Sequence, residues 1–305
     1  MVAAVAMPWT LSPLFRMAPA PSQPIGTASF GVGGSFLAGP GLFITGLPMN
    51  FVVGTDLAHI VGKSLVASRE HLVRGNVDIK LAVIMAGGTI IGTEAGAQVI
   101  QYLKQFKIVN IVVGVVMIGV LILISAFMAW ESWQTITRSQ IAELRLKGKT
   151  APPAVRRFHE KVQRFKLWPM INLAESGVRN ISFWIILIVA VVAGFLAGFL
   201  GGGAGYLRML LLVYVLGVPT KVAVGTDLFE VAVSASYGTL SHAIKGNVDI
   251  MIALVMQTGA AVGAQIGVKL TDFFRGAKIR LAFSPLPLIG AALIVYGLMT
   301  GQKMK

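Results

Sequence analysis

The amino-acid sequence predicts an all-α polytopic membrane protein made of two homologous helical repeats, with broken or re-entrant helices and about 7–8 transmembrane helices. Three observations predict this. Hydrophobic residues make up 55% of the chain and charged residues only 12%, far from the balance of a soluble domain. Apolar runs such as Phe106 to Trp130 and Ile181 to Leu200 are long enough to cross about 30 Å of hydrocarbon. The second half also repeats the first at one fixed spacing.

That spacing is 171 residues. "VGTDL" occurs at Val53 to Leu57 and again at Val224 to Leu228, each time with "GNVDI" downstream. Gly46 and Pro48 match Gly217 and Pro219, Gly75 to Ile79 match Gly246 to Ile250, and Gly88, Gly92 and Gly96 match Gly259, Gly263 and Gly267. Hydrophobic composition alone does not place so many Gly, Pro and Asp residues at one offset, so the chain carries an internal duplication.

Residues 1–29 form an atypical N-terminal segment. Within it, Thr10 to Ser29 stand where the offset calls for a partner of the run Ile181 to Leu200, and their prolines exclude a spanning helix. The first repeat is expected to lack its opening helix, through a late start or a reduced plan. Residues 30–130 form the first membrane repeat. It runs from the Gly-rich break "FGVGGSF" through a short apolar segment, a "GxP", a helix opening with VGTDL, a polar turn and two further apolar helices.

Residues 131–180 form a loop with ten Lys and Arg against four acids, which the positive-inside rule places in the cytoplasm. "LKGKTAPPAVRR" breaks it, and flanking pieces such as "IAELRLK" read as surface helices. Residues 181–301 form the second repeat, where the break is "LGGGAGYL" and the short segment Tyr206 to Leu216 is too short to cross the bilayer alone. Interrupted helices at membrane depth survive only where protein or a water-lined cavity satisfies their backbone. Paired interruptions in two halves are the best sequence pointer to a transport site, and the helix starts that follow them favour an anion.

The candidate residues follow from this plan. Backbone amides after Gly31, Gly33 and Gly34, and after Gly202, Gly203 and Gly205, can cradle an anion, with Gly54, Thr55, Gly225 and Thr226 beside them as hydroxyl and backbone donors. Asp56 and Asp227 are carboxylates in apolar helices, a costly placement that points to function. The alternative is that Thr55 or Asp56, and their twins, cap the helix start. One turn along, His59 stands at the place of Glu230 and Lys63 at that of Ser234, so Asp56, His59 and Lys63 can share a face as a proton-and-anion cluster or a structural ion pair. Arg208, inside the second short segment, suits bidentate recognition of an oxyanion, unless it snorkels to an interface. Asp78 and Asp249 read as caps opening the helices after the GNVDI turns.

Other functions find little support. The net charge of +14 lies between and after the apolar spans, the pattern of membrane topology rather than of nucleic-acid binding. The absence of cysteine excludes disulfides and thiolate metal sites, and the scattered methionines read as packing rather than as a copper site. Gly62-Lys63-Ser64 lacks the strand and glycines of a phosphate loop. Glu94, among Gly88, Gly92 and Gly96, marks a tight helix contact rather than catalysis. No enzyme, cofactor or metal is expected. The expected partners are a small anion and the lipid bilayer. Self-association, and whether the repeats run parallel or inverted, stay open.

The residues "GVGGSFLAGPGLFITGLP", "GFLGGGAGYLRMLLLVYVLGVPTKVAVGTDLFE" and the doubled "VGTDL" and "GNVDI" resemble the TauE/SafE sulfite exporter family, also called the four-toluene-sulfonate uptake permease family. The resemblance covers Phe30 to about Arg280. It implies a bacterial-type multi-pass permease of the inner membrane for sulfite, organosulfonates or related sulfur anions, with proton coupling. One departure is that Pro40 of the first repeat is replaced by Leu211 in the second. Two readings from other classes remain: a membrane scaffold recruiting a partner through the basic loop, and an anion channel lined by the glycines.

Overall fold

The computed structural model describes residues 35–145, 167–201, 205–258 and 284–301. Four helices come first: α1 (Ser35–Ile44), α2 (Met49–Val73), α3 (Ile79–Gln105) and α4 (Val109–Arg145). Strands β1 (Met170–Leu173) and β2 (Val178–Ser182) follow, then α5 (Phe183–Leu200) and α6 (Gly205–Leu210), which runs into a π-helical turn at Leu211–Val215. The chain continues in α7 (Thr220–Ile244), a helical stretch at 250–258, and α8 (Leu286–Gly301).

Among the described residues, Met49–Val73, Ile79–Gln105, Val109–Trp133 and Phe183–Leu200 are long and apolar enough to cross a membrane. The expected total of spans involves residues outside the described set.

Two expectations need correction. The chain is mostly helical but not all-α, because β1 and β2 pair as an antiparallel hairpin. Of the flanks of the basic loop, residues 141–145 continue α4 rather than forming a separate surface helix, and 170–182 form the hairpin, while 146–166 lie outside the described residues. The hairpin forms because Leu173, Val178 and Ile181 present one apolar side to the core, while Gly177 at φ 65° takes the left-handed turn that a side chain resists.

The helices keep the 171-residue spacing. α2 and α7 are both 25 residues long and begin at Met49 and Thr220. Positive-φ glycines also come in matched pairs, Gly46 with Gly217 before these helices and Gly75 with Gly246 after them. Pro40 lies inside α1, while its counterpart Leu211 opens the π-helical turn. The same point in both short helices is therefore irregular, once by a missing N–H and once by a shifted hydrogen-bond register.

α2 and α7 run antiparallel. A Cβ on Gly54, near the start of α2, would lie 2.2 Å from the Asn247 carbonyl oxygen just past α7, and one on Gly225 would lie 2.1 Å from that of Asn76 just past α2. At the same two places the Thr55 hydroxyl accepts from the Asp249 N–H and the Thr226 hydroxyl from the Asp78 N–H, both at 3.0 Å. Each VGTDL thus locks onto the GNVDI turn of the other half. Thr226→Val leaves the buried Asp78 N–H without its acceptor and is expected to cost about 1–3 kcal/mol, read as a lower melting temperature in detergent. Thr55→Val is expected to cost less, because Asp249 is only half-buried.

α3 and α5 run parallel in close contact, through Gly88, Gly92 and Gly96 on one side and Ala190, Gly194 and Gly198 on the other. One apolar core joins α1, α2, α4 and α8 around Met49, Val113, Met117 and Ile294. A second joins the hairpin to α3, α5 and the segment between α6 and α7, around Leu81, Ile186, Leu212 and Leu216. Exposed Trp130 and Trp133 on α4, and Trp168 and Trp184 at the hairpin, flank the basic segment in sequence, as expected at a membrane interface.

Candidate functional site

The site begins where α5 breaks. Gly201, at φ 76°, ends the helix, and α6 starts again at Gly205. α6 carries Arg208 into the interior against α7, and the two residues that meet it, Asp227 and Glu230, are one turn apart on α7. Arg208 Nε donates to Asp227 Oδ1, and Nη1 lies 3.1 Å from Glu230 Oε2. Thr89 on α3 donates its hydroxyl to Glu230 Oε1. All three ionisable side chains are buried, with Glu230 at 0% exposure. One guanidinium thus faces two carboxylates, an arrangement that desolvation makes costly unless each charge keeps its partner.

Beside this group lies a cavity of about 40 Å³, room for a few waters at roughly 10–15 Å³ each. Its walls come in matched pairs: Leu57, Ile60, Lys63 and Ser64 of α2 face Leu228, Val231, Ser234 and Ala235 of α7, each 171 residues apart. Arg208, Asp227, Gly201, Gly205 and Thr93 complete the polar side. The cavity therefore lies between the antiparallel equivalents, with Lys63 and Arg208 both in its lining.

The residues singled out from sequence divide into several groups. Lys63, Gly205, Arg208 and Asp227 meet at the cavity, and Glu230 buttresses Arg208 from behind. Asp56 and His59 are buried on the next turns of α2, with His59 Nδ1 3.7 Å from Asp56 Oδ1, outside hydrogen-bond reach. Asp56 lies near the break, since a Cβ on Gly201 would sit 3.3 Å from its Oδ2. Gly54, Thr55, Gly225 and Thr226 face the turns of the opposite half, where the contacts described above hold them. Gly31, Gly33, Gly34, Gly202 and Gly203 lie outside the described residues.

The capping alternative is corrected. α2 starts at Met49 and α7 at Thr220, so Thr55, Asp56, Thr226 and Asp227 lie two turns inside their helices, past the free amides. The GNVDI aspartates do cap: Asp78 Oδ1 accepts from Leu81 N–H at 3.1 Å, and Asp249 Oδ1 from Ile252 N–H at 3.0 Å. Arg208 is buried by its ion pairs and does not snorkel.

Glu94 belongs to a separate network. Its carboxylate takes Lys245 Nζ at 2.8 Å, Ser241 Oγ at 2.5 Å and Tyr237 OH at 3.2 Å, linking α3 to the far end of α7. Sequence reasoning missed Thr89 and Thr93, since a hydroxyl in an apolar helix is common. Their spacing of four, between Gly88, Gly92 and Gly96, was the available signal.

Comparison with known proteins gives a consistent picture. The family model described as Sulfite exporter TauE/SafE matches residues 25–294. YunE of Bacillus subtilis, a probable membrane transporter protein, is 25% identical over 279 residues, covering 88% of this chain and 93% of the relative. YjnA of the same organism, also a probable membrane transporter protein, is 25% identical over 270 residues, covering 87% and 92%. A probable membrane transporter protein of Xylella fastidiosa is 36% identical over 126 residues, covering 38% and 47%. No solved structure matches.

Proposed function

This chain belongs to the sulfite exporter TauE/SafE family of multi-pass membrane transporters, and from that premise we propose that it is a proton-coupled secondary transporter of small sulfur-containing anions. The carrying observation is the buried Arg208 at a cavity bounded by matched residues of α2 and α7.

The chemistry follows from charge. With the cavity empty, Asp227 and Glu230 hold the guanidinium. A proton on Asp227 weakens that pair and frees the Arg208 Nε–H to donate to an oxyanion, a charge-assisted bond of the strong kind that arginine makes. Lys63 supplies a second positive charge from the cavity lining, and the Ser234 hydroxyl supplies a neutral donor. Loss of the anion lets Asp227 release its proton and close on Arg208 again. Anion and proton therefore move together.

The antiparallel placement of α2 and α7 supports inverted repeats, related by an axis in the membrane plane. Alternating access then follows from exchange of the two halves about the cavity. Transport would need no net change in structure, only a swap of roles.

The test is flux of sulfite, with thiosulfate and sulfoacetate in parallel, into proteoliposomes with and without an imposed pH gradient. Wild-type flux is expected to saturate and to respond to the gradient, and Asp227→Asn to lose that response while staying folded, since Glu230 still pairs with Arg208. Flux that rises linearly with concentration and ignores the gradient would favour the channel reading. An unaltered Asp227→Asn profile would remove Asp227 from the mechanism.

A further inference from the structure

Asp78 and Asp249 occupy equivalent places and make the same two contacts, a cap on the following helix and a backbone N–H to the opposite threonine. Asp78 makes a third. Its Oδ2 accepts from the Ser176 N–H at 3.2 Å and the Ser176 hydroxyl at 2.7 Å, at the tip of the hairpin. Among the described residues Asp249 has no such partner. Asp78 is also 0% exposed, whereas Asp249 is half-buried.

The hairpin lies over the path from α6 to α7. Leu173, Val178 and Ile181 share a core with Leu212, Leu216, Val218 and Ala223, on the segment that joins Arg208 to Asp227. A single carboxylate residue thus connects the hairpin tip, the start of α3 and Thr226, which precedes Asp227. The charge of the segment 131–180 marks this end as the cytoplasmic one.

We propose that Ser176 and Asp78 form a latch, with Asp78 as a positioning residue for α7, and that the β1–β2 hairpin is the cytoplasmic closure of the transport cavity. This rests on the reading of that cavity as the transport site. Opening towards the cytoplasm requires the Ser176 contacts to part, freeing the hairpin and the α6–α7 segment beneath it together. The opposite end, at Asp249, carries no equivalent restraint among the described residues.

The chain has no cysteine, which makes single-site labelling clean. Ser234→Cys places a thiol on the cavity wall, and its reaction with a membrane-impermeant thiol reagent is followed from each side of oriented vesicles. Ser176→Ala keeps the Asp78 cap and the Thr226 bond, and is expected to raise labelling from the cytoplasmic side by about tenfold, with Asp78→Asn at least as large. Ser176→Thr should restore the original rate. Asp249→Asn should leave cytoplasmic labelling unchanged. Rates within twofold for Ser176→Ala and Asp78→Asn, or an equal rise in Asp249→Asn, would overturn the latch. Because labelling needs no substrate, this failure is separable from an absence of sulfite flux, which bears on the transport reading instead.

Discussion

Arg208→Ala is expected to abolish saturable anion flux and to destabilise the protein by about 3–5 kcal/mol, the range for removing one partner of a buried ionic group. The reason is the imbalance already present. Asp227 and Glu230 share one guanidinium at low exposure, and without it two carboxylates stand uncompensated in a space that water barely enters. Arg208→Lys retains the charge but offers a single point donor in place of the fork. It is expected to fold and to lose at least about tenfold in flux. Arg208→Ala combined with Glu230→Gln removes one of the stranded charges, so melting temperature should recover in part while flux does not. Wild-type flux in Arg208→Ala would contradict the anion site directly. Recovery of flux in the double variant would show that the arginine serves stability alone.

Gly194→Ala and Gly198→Ala are expected to give large losses outside the ionic group. A Cβ on Gly194 would lie 2.3 Å from the Thr89 carbonyl oxygen, and one on Gly198 2.2 Å from that of Thr93, so the obstruction is backbone and cannot rotate away. α3 and α5 must separate, at about 1–3 kcal/mol for each substitution. The double variant should cost less than the sum, because the first methyl already parts the helices. Function should fall as well, since Thr89 donates to Glu230 and Thr93 lines the cavity. Gly87→Ala in α3 and Gly119→Ala in α4 meet nothing within 4 Å, and should be neutral or more stable by up to about 1 kcal/mol. Melting curves in detergent compare the two pairs, and equal behaviour would refute close packing of α3 on α5.

Much of this protein was legible in the sequence because the signals are local. A run such as Phe183–Leu200 identifies a spanning helix by length and composition, since hydrocarbon accepts little else. The 171-residue spacing is written in Gly, Pro and Asp, and in the structure α2 and α7, which start at that spacing, are of equal length and are flanked by positive-φ glycines. The capping role of Asp78 and Asp249 was readable because a cap involves only the next three residues. Arg208 and Asp227 could be singled out separately because an ionisable group in an apolar segment demands a reason.

Partnership across elements was decided by tertiary structure. Sequence alone left Asp227 a choice between cap and functional group, and the position of the helix start at Thr220, seven residues earlier, settled the first against it. It offered no reason for Thr55 and Thr226 to bond the opposite half, because that depends on α2 and α7 lying antiparallel, which a periodicity of 3.6 residues does not encode. The hairpin was missed for a related reason. Nine strand residues in a basic loop carry a weak pattern, and they fold as strands because Leu81, Leu212 and Leu216 offer an apolar surface and Asp78 a free oxygen. What the sequence determined by itself is the inventory, namely the spans, breaks, repeats and buried charges, since each follows from the solvent that a segment must meet. Which charge meets which, and around what cavity, belongs to the packing of helices far apart in the chain.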